Sequence, residues 1–230
     1  MARIILKISG EALKQDDKIV DVSKLKMVLE TINILKKYDS KIAIIVGGGN
    51  IFRGRSNLNM KDDNSTAIGV SGSIINALYL KDYLENNNLN VVLSTPFKLN
   101  SLIKEYTDEE MLNKFNNGDI VIFGGGVGKI GYSTDSGVIL ANSKLNCDLI
   151  IKMTNVDGVY SEDPKINNDA IKYNKLSYQK VLEDKLNIMD EAAIKNCMEN
   201  DIKILVMNFN SHTEIEKYFK NEEIGTIIGE

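Results

Sequence analysis

Residues 42–53 read IAIIVGGGNIFR, and the fold turns on them. Ile42-Ala43-Ile44-Ile45-Val46 is an unbroken apolar run, the pattern of a strand covered on both faces. It stops at Gly47-Gly48-Gly49. Glycine lets the backbone approach a ligand closely and aim its N–H groups at it. Strand, glycine loop and helix together build a phosphate cradle. Arg53 follows at once. The chain has only three arginines, Arg3, Arg53 and Arg55, among many lysines. Only Arg forks bidentately onto phosphate. Beside this loop Arg53 reads as a phosphate ligand; alone it would read equally well as a surface ion pair.

The construction recurs on both sides of this segment. Arg3-Ile4-Ile5-Leu6 leads into KISG, residues 7–10. A lysine at that strand end can reach a transferred phosphate as a point charge while loop N–H groups hold other oxygens. Asp119-Ile120-Val121-Ile122-Phe123 leads into GGGVG, residues 124–128. Open α/β sheets bind ligands along the carboxyl edge of their strands, so the three loops are expected to converge. Further strand-like runs lie at 90–94, 148–153 and 203–207.

Helical periodicity separates the strands. Residues 23–38 place Leu25, Val28, Leu29, Ile32 and Leu35 on one face. Residues 66–86 place Ile74, Ala77, Leu78, Leu80 and Leu84 on another, with Asn76, Asp82 and Asn86 on the opposite side. Residues 135–145 and 190–199 predict two more helices. The alternation predicts an α/β fold, a largely parallel central sheet flanked by helices on both faces. No repeat, low-complexity tract or linker divides the 230 residues. Residues 55–64, rich in Asn, Asp and Lys, read as a mobile loop over the site.

Composition excludes several classes. A net charge of −4 lacks the basic excess of a nucleic-acid binder. No apolar run reaches the roughly 18 residues a membrane helix needs, and no signal-peptide pattern opens the chain, so a cytoplasmic protein is expected. Cys147 and Cys197 form no CxxC and read as packed, reduced thiols. The one histidine, His212, reads as a surface residue, and histidine catalysis and a zinc site are excluded.

Two segments carry further chemistry. Tyr132-Ser133-Thr134-Asp135-Ser136 enters the helix at 135. Asp135 is either that helix's N-cap or a carboxylate holding lysines in place. Residues 152–164, KMTNVDGVYSEDP, begin with Lys152 at a strand end, as Lys7 is. Val156 to Tyr160 reads as a tight turn into a short strand, and the Tyr160 ring can stack beside a purine. Asp157-Gly158 alone would be an ordinary hairpin turn.

Taken together, KISGEAL, IIVGGGNIFRG at 44–54, TDSGV at 134–138, KMTNVDGVYSEDPK at 152–165 and Met189-Asp190 resemble the bacterial uridylate kinases of the amino acid kinase superfamily. The resemblance runs from residue 3 to Gly225-Thr226. It implies a three-layer sandwich forming one domain over 1–230, with an acceptor half at about 1–150 and an ATP half at about 151–230. It implies phosphoryl transfer from ATP, carried with Mg2+, to UMP, by a homo-oligomer, a hexamer in that family. Lys7, Ile8, Ser9, Gly10, Gly49 and Arg53 resemble ATP contacts, and Thr154, Tyr160 and Asp163 the surroundings of the ATP base, ribose and metal. Lys152 resembles a second phosphate-side lysine, and Asp135 the aspartate that organises the two; with Lys7 and Arg53 they form the catalytic set. Gly48, Thr66 and the loop Val127, Gly128, Lys129, Ile130, Gly131, Tyr132, Ser133 and Thr134 align with the UMP site. Thr66 stands where the family carries an acid on the ribose, and Val127 and Lys129 replace its Thr and Asn. Two other readings stay open: a kinase of the superfamily with a different small acceptor, and a nucleotide-binding relative without turnover. Phosphoryl transfer needs positioning and charge rather than a nucleophilic side chain, so the absence of a catalytic histidine fits.

Overall fold

The computed structural model describes residues 1–53, 60–101, 103–130, 132–164 and 166–229. Six strands form its middle: β1 (Arg3–Ile8), β2 (Lys41–Val46), β3 (Val91–Ser94), β4 (Ile120–Phe123), β5 (Leu149–Thr154) and, after three short strands, β9 (Lys203–Asn208). The short strands are β6 (Val159–Tyr160), β7 (Lys172–Tyr173) and β8 (Lys175–Leu176), and β10 (Thr226–Ile228) closes the chain. The main sheet has eight strands in the order β3-β4-β2-β1-β5-β9-β10-β8. All its neighbours are parallel except β9 and β10. β6 and β7 form a separate antiparallel ribbon.

Strand alternation assigns side chains to the two faces. Ile4, Leu6 and Ile8 of β1 join Ile42, Ile44 and Val46 of β2 on one face. That face is covered by α1 (Val22–Lys37), through Leu25, Val28, Ile32 and Leu35, and by α2 (Asp62–Glu85), through Ala77, Leu80 and Leu84. Ile5, Ala43, Ile45 and Ile150 point the other way. There α3 (Asp108–Asn116), α4 (Thr134–Leu145), α5 (Tyr178–Glu183) and α6 (Glu191–Glu199) close the second core. A short helix α7 (Glu216–Phe219) follows a 3-10 turn at Phe209–Ile215.

The sheet and both helical layers match the sequence reading. The predicted strands and the four predicted helices fall within a few residues of the observed bounds. α3 and α5 are additional to the predicted helices; α3 is announced by a capping box, in which Thr107 Oγ1 accepts from Glu110 N at 3.2 Å and Glu110 Oε2 from Thr107 N at 2.8 Å. Two expectations are corrected. Asn76 is fully buried rather than on the solvent side with Asp82 and Asn86, because its amide serves a loop of the site. His212 is buried rather than superficial, its Nε2 2.7 Å from Glu30 Oε2 on α1. Cys147 and Cys197 are free and buried, and burial pushes both thiols up to about 12. No helix among the described residues is long and apolar enough to cross a membrane. Of the mobile loop expected at 55–64, residues 55–59 lie outside the described residues, and Asp62 to Asn64 are instead the first turn of α2.

Candidate active site

β1 and β5 are neighbours in the sheet, and Lys7 and Lys152 are register partners. Each follows by two positions a residue of the second core, Ile5 and Ile150, so both project toward the α4 face at the strands' carboxyl end. The first turn of α4 lies there. Asp135 Oδ1 forms an ion pair with Lys7 Nζ, and both side chains are largely buried. Asp135 is not the helix cap. Ser133 is: its Oγ accepts from Asp135 N at 3.0 Å, while Ser136 Oγ accepts from Ser133 N at 3.4 Å. The cap leaves the Asp135 carboxylate for the lysines. Burial, and next the charge of Lys7, lower the Lys152 ammonium to about 8, although Asp135 and Asp190 pull it upward. Ser133 Oγ also donates to Asp190 Oδ2, drawing the start of α6 to the same point.

The glycine loops do converge. A Cβ on Gly10 would fall 2.5 Å from Asn50 Oδ1 and 2.6 Å from Gly47 O, so the first two loops touch backbone to backbone. A Cβ on Gly48 would fall 2.7 Å from both Gly69 O and Ser73 N, which seats the second loop on α2. Asn76 Nδ2 donates to Gly47 O and Asn50 Oδ1, both at 2.7 Å, and Asn50 Nδ2 donates back to Asn76 Oδ1 at 3.0 Å. Ser73 Oγ donates to Val46 O at 2.7 Å and accepts from Gly125 N at 2.8 Å, joining the second and third loops. Sequence reasoning missed Ser73, Asn76 and Asn50, which hold the loops, and Glu11, which holds Arg53 through Nε at 3.1 Å. Asn50 and Glu11 sit within the quoted motifs; nothing in the chain marks Ser73 or Asn76. Arg3, far from the loops, braces the end of α4: its Nε donates to the carbonyls of Leu145 and Asn146, each at 2.8 Å.

Two cavities flank the lysines. The first, about 530 Å³, is lined by Gly48, Gly49, Arg53, Thr66, Ser73, the loop from Gly125 to Lys129, and Tyr132, Ser133 and Thr134, among others. It gathers the acceptor-side residues Gly48, Thr66, Val127, Gly128, Lys129, Tyr132, Ser133 and Thr134. Ile130 is exposed and does not line it, and Gly131 lies outside the described residues. Gly49 and Arg53, expected on ATP, also open onto this cavity. The second, about 500 Å³, is lined by Lys152, Thr154, Tyr160, Asp163 and neighbours, including Asp184 to Ile188 before α6. Thr226, fully buried, accepts from Val159 N at 2.8 Å and donates to Tyr173 O, fixing the β6–β7 ribbon, whose Val159 and Tyr160 line this cavity. Tyr160 Oη donates to Asp157 Oδ1 at 2.6 Å. Thr154 Oγ1 is used locally, accepting from Val156 N at 2.9 Å. Lys7, Ile8, Ser9 and Gly10 line neither cavity. The side chain of Ile8 is in the core and its carbonyl accepts from Gly47 N at 3.0 Å, so it has no side chain to offer a nucleotide. Lys7 and its partners thus stand between two nucleotide-sized spaces, an arrangement suited to moving a phosphoryl group from one to the other.

Comparison with known proteins agrees with this geometry. The amino acid kinase family model matches residues 2–208. The chain is 37% identical over 227 residues to uridylate kinase of Fervidobacterium nodosum, covering 98% of this chain and 97% of that one. The solved structure of UMP kinase from Bacillus anthracis superposes with a TM-score of 0.92 at 31% identity, covering 99% of this chain and 96% of that one. UMP kinase from Ureaplasma parvum gives 0.91 at 32%, covering 100% and 99%. The chain belongs to the amino acid kinase family, in its uridylate kinase branch.

Proposed function

We propose that this chain transfers the γ-phosphoryl group of ATP to UMP, giving UDP and ADP, a step of pyrimidine nucleotide synthesis. The observation that carries the reading is the Lys7–Lys152 register pair, organised by Asp135 between two cavities. An oxygen of the UMP phosphate attacks Pγ, the bond from Pγ to the β–γ bridging oxygen breaks, and ADP leaves. The two ammonium groups and the N–H groups of the glycine loops meet the charge on the phosphoryl oxygens. The second cavity takes ATP, with Tyr160 and the β6–β7 ribbon beside the base; the first takes UMP, with Arg53 and Gly48 at the phosphate end.

Magnesium is proposed to come with ATP, held mainly by the phosphates, as is usual for this ion. Assembly into a homo-oligomer, a hexamer by family likeness, is proposed as well. It is supported by Ile68, Ile75 and Tyr79, large apolar residues exposed along α2. A cytoplasmic location is proposed on the two buried free thiols.

The test is ADP release coupled to direct detection of UDP, with ATP and Mg2+ over UMP, CMP and small carboxylates. UDP formed with UMP at a kcat/KM well above the other acceptors is expected. ATP binding without any UDP overturns the reading.

A further inference from the structure

The first cavity has a chemically lopsided lining. Two of its lining side chains are cationic, Arg53 and Lys129, and none is a carboxylate among the described residues. The two cations belong to different ends. Arg53 follows the β2 loop beside Lys7's strand. Lys129 follows the β4 loop, where Gly128 is built against Pro96, a Cβ there falling 2.6 Å from the proline ring. β4 lies two strands from β1, roughly 10 Å at the usual strand spacing. That span matches a nucleoside monophosphate with its phosphate beside Lys7 and its base under the β4 loop. The sugar falls between, along the first turns of α2. Ser65, Thr66, Gly69, Val70 and Ser73 of α2 line the cavity there.

The hydroxyls on this path are unequally free. Ser73 Oγ is spent on Val46 and Gly125, and Ser133 Oγ on Asp190 and Asp135. Of the other hydroxyls lining the cavity, Tyr132 and Thr134 belong to the α4 end, and Ser65 and Thr66, both half-exposed, lie on the first turns of α2. A site that reads a substrate hydroxyl with buried polar groups rejects the deoxy analogue by roughly 10⁴-fold, because those groups are left unpaired. A half-exposed neutral hydroxyl is simply rehydrated, and the loss is that of one ordinary hydrogen bond, about fivefold to tenfold.

We propose that the acceptor cavity also takes the 2′-deoxy nucleotide, so that dUMP is phosphorylated within about tenfold of UMP. The inference rests on the UMP reading above. The experiment is kcat/KM for UMP and for dUMP, with ATP and Mg2+, in the wild-type chain and in Thr66→Asp and Thr66→Val. Thermal melts establish that both variants fold. The expected wild-type ratio is under about tenfold. Thr66→Asp supplies a charge-assisted partner and should widen the ratio by about another tenfold. Thr66→Val should bring it toward one. A wild-type ratio above tenfold, or a ratio that neither variant moves, overturns the proposal. If UMP and dUMP both fail while ATP binds, the UMP reading itself falls, and this proposal falls with it.

Discussion

Lys7 and Lys152 stand 145 positions apart in the chain and side by side in the sheet, with Asp135 bound to the first and its charge felt by the second. Two like charges on adjacent strands repel and lose hydration. They are tolerated here because a carboxylate is held over them by a separately capped helix. This pair is costly to the fold and useful only when a more negative group sits above it.

Lys152→Met should therefore stabilise the protein while abolishing turnover. The Lys152 ammonium sits at about 8 instead of the usual value near 10.5, chiefly through burial. A shift of that size corresponds to roughly 3 kcal/mol of destabilisation by the charged group, an upper figure for what the variant can regain. The unfolded chain holds the extra proton between pH 8 and 10.5, so the cost is fully present below pH 8 and fades as pH rises toward 10.5. Urea denaturation at pH 7 and pH 10 should show a larger advantage for the variant at pH 7. In the wild type, kcat/KM should fall as pH rises through about 8, where the free enzyme loses this charge. Equal stability of the two proteins at pH 7 contradicts the argument.

Asp135→Asn should lower kcat by about 10² with little change in ATP affinity, because the carboxylate acts on the lysines that meet transition-state charge. Its stability should also fall, by about 3 kcal/mol, because the largely buried Lys7 ammonium loses its partner, while the cap on Ser133 is untouched. Ser133→Ala should lose about 1 kcal/mol of stability. A large loss of stability in Asp135→Asn with normal turnover per folded molecule would return Asp135 to a structural role.

Lys7→Ala and Arg53→Ala should each lose about 10² or more in kcat/KM, with cooperative unfolding retained. Arg53 is held by Glu11, so Glu11→Gln should weaken acceptor binding in the same direction but by less, about threefold to tenfold, as an oriented arginine becomes a mobile one. Wild-type kinetics in either alanine variant would remove that residue from the site.

Asn76→Ala should cost about 2–3 kcal/mol. It leaves the buried Gly47 carbonyl and the Asn50 amide without their partner. Acceptor KM should rise more than ATP KM, because the loop set loose is the one that lines the first cavity. An unchanged acceptor KM in the folded variant would show that the loop keeps its shape without Asn76.

The chain by itself determined the sheet, its two helical layers, the three glycine loops and the identity of the charged residues beside them. Each of these is written in local periodicity, in glycines after apolar runs, or in a rare arginine. The short α3 is written locally too, in the capping box of Thr107 and Glu110. Other features were not legible. Parallel register alone makes Lys7 and Lys152 neighbours. The capping of α4 by Ser133, not Asp135, decides which oxygen satisfies the helix and which carboxylate is left for chemistry. Asn76 reads as a solvent-facing helix residue until the glycine loop above it is in place, and His212 as a surface residue until α1 packs over it. Periodicity records which side of an element is apolar. It does not record which polar group on the other side will meet a partner from a distant segment, because that choice is made only when the layers close and buried donors and acceptors must be paired.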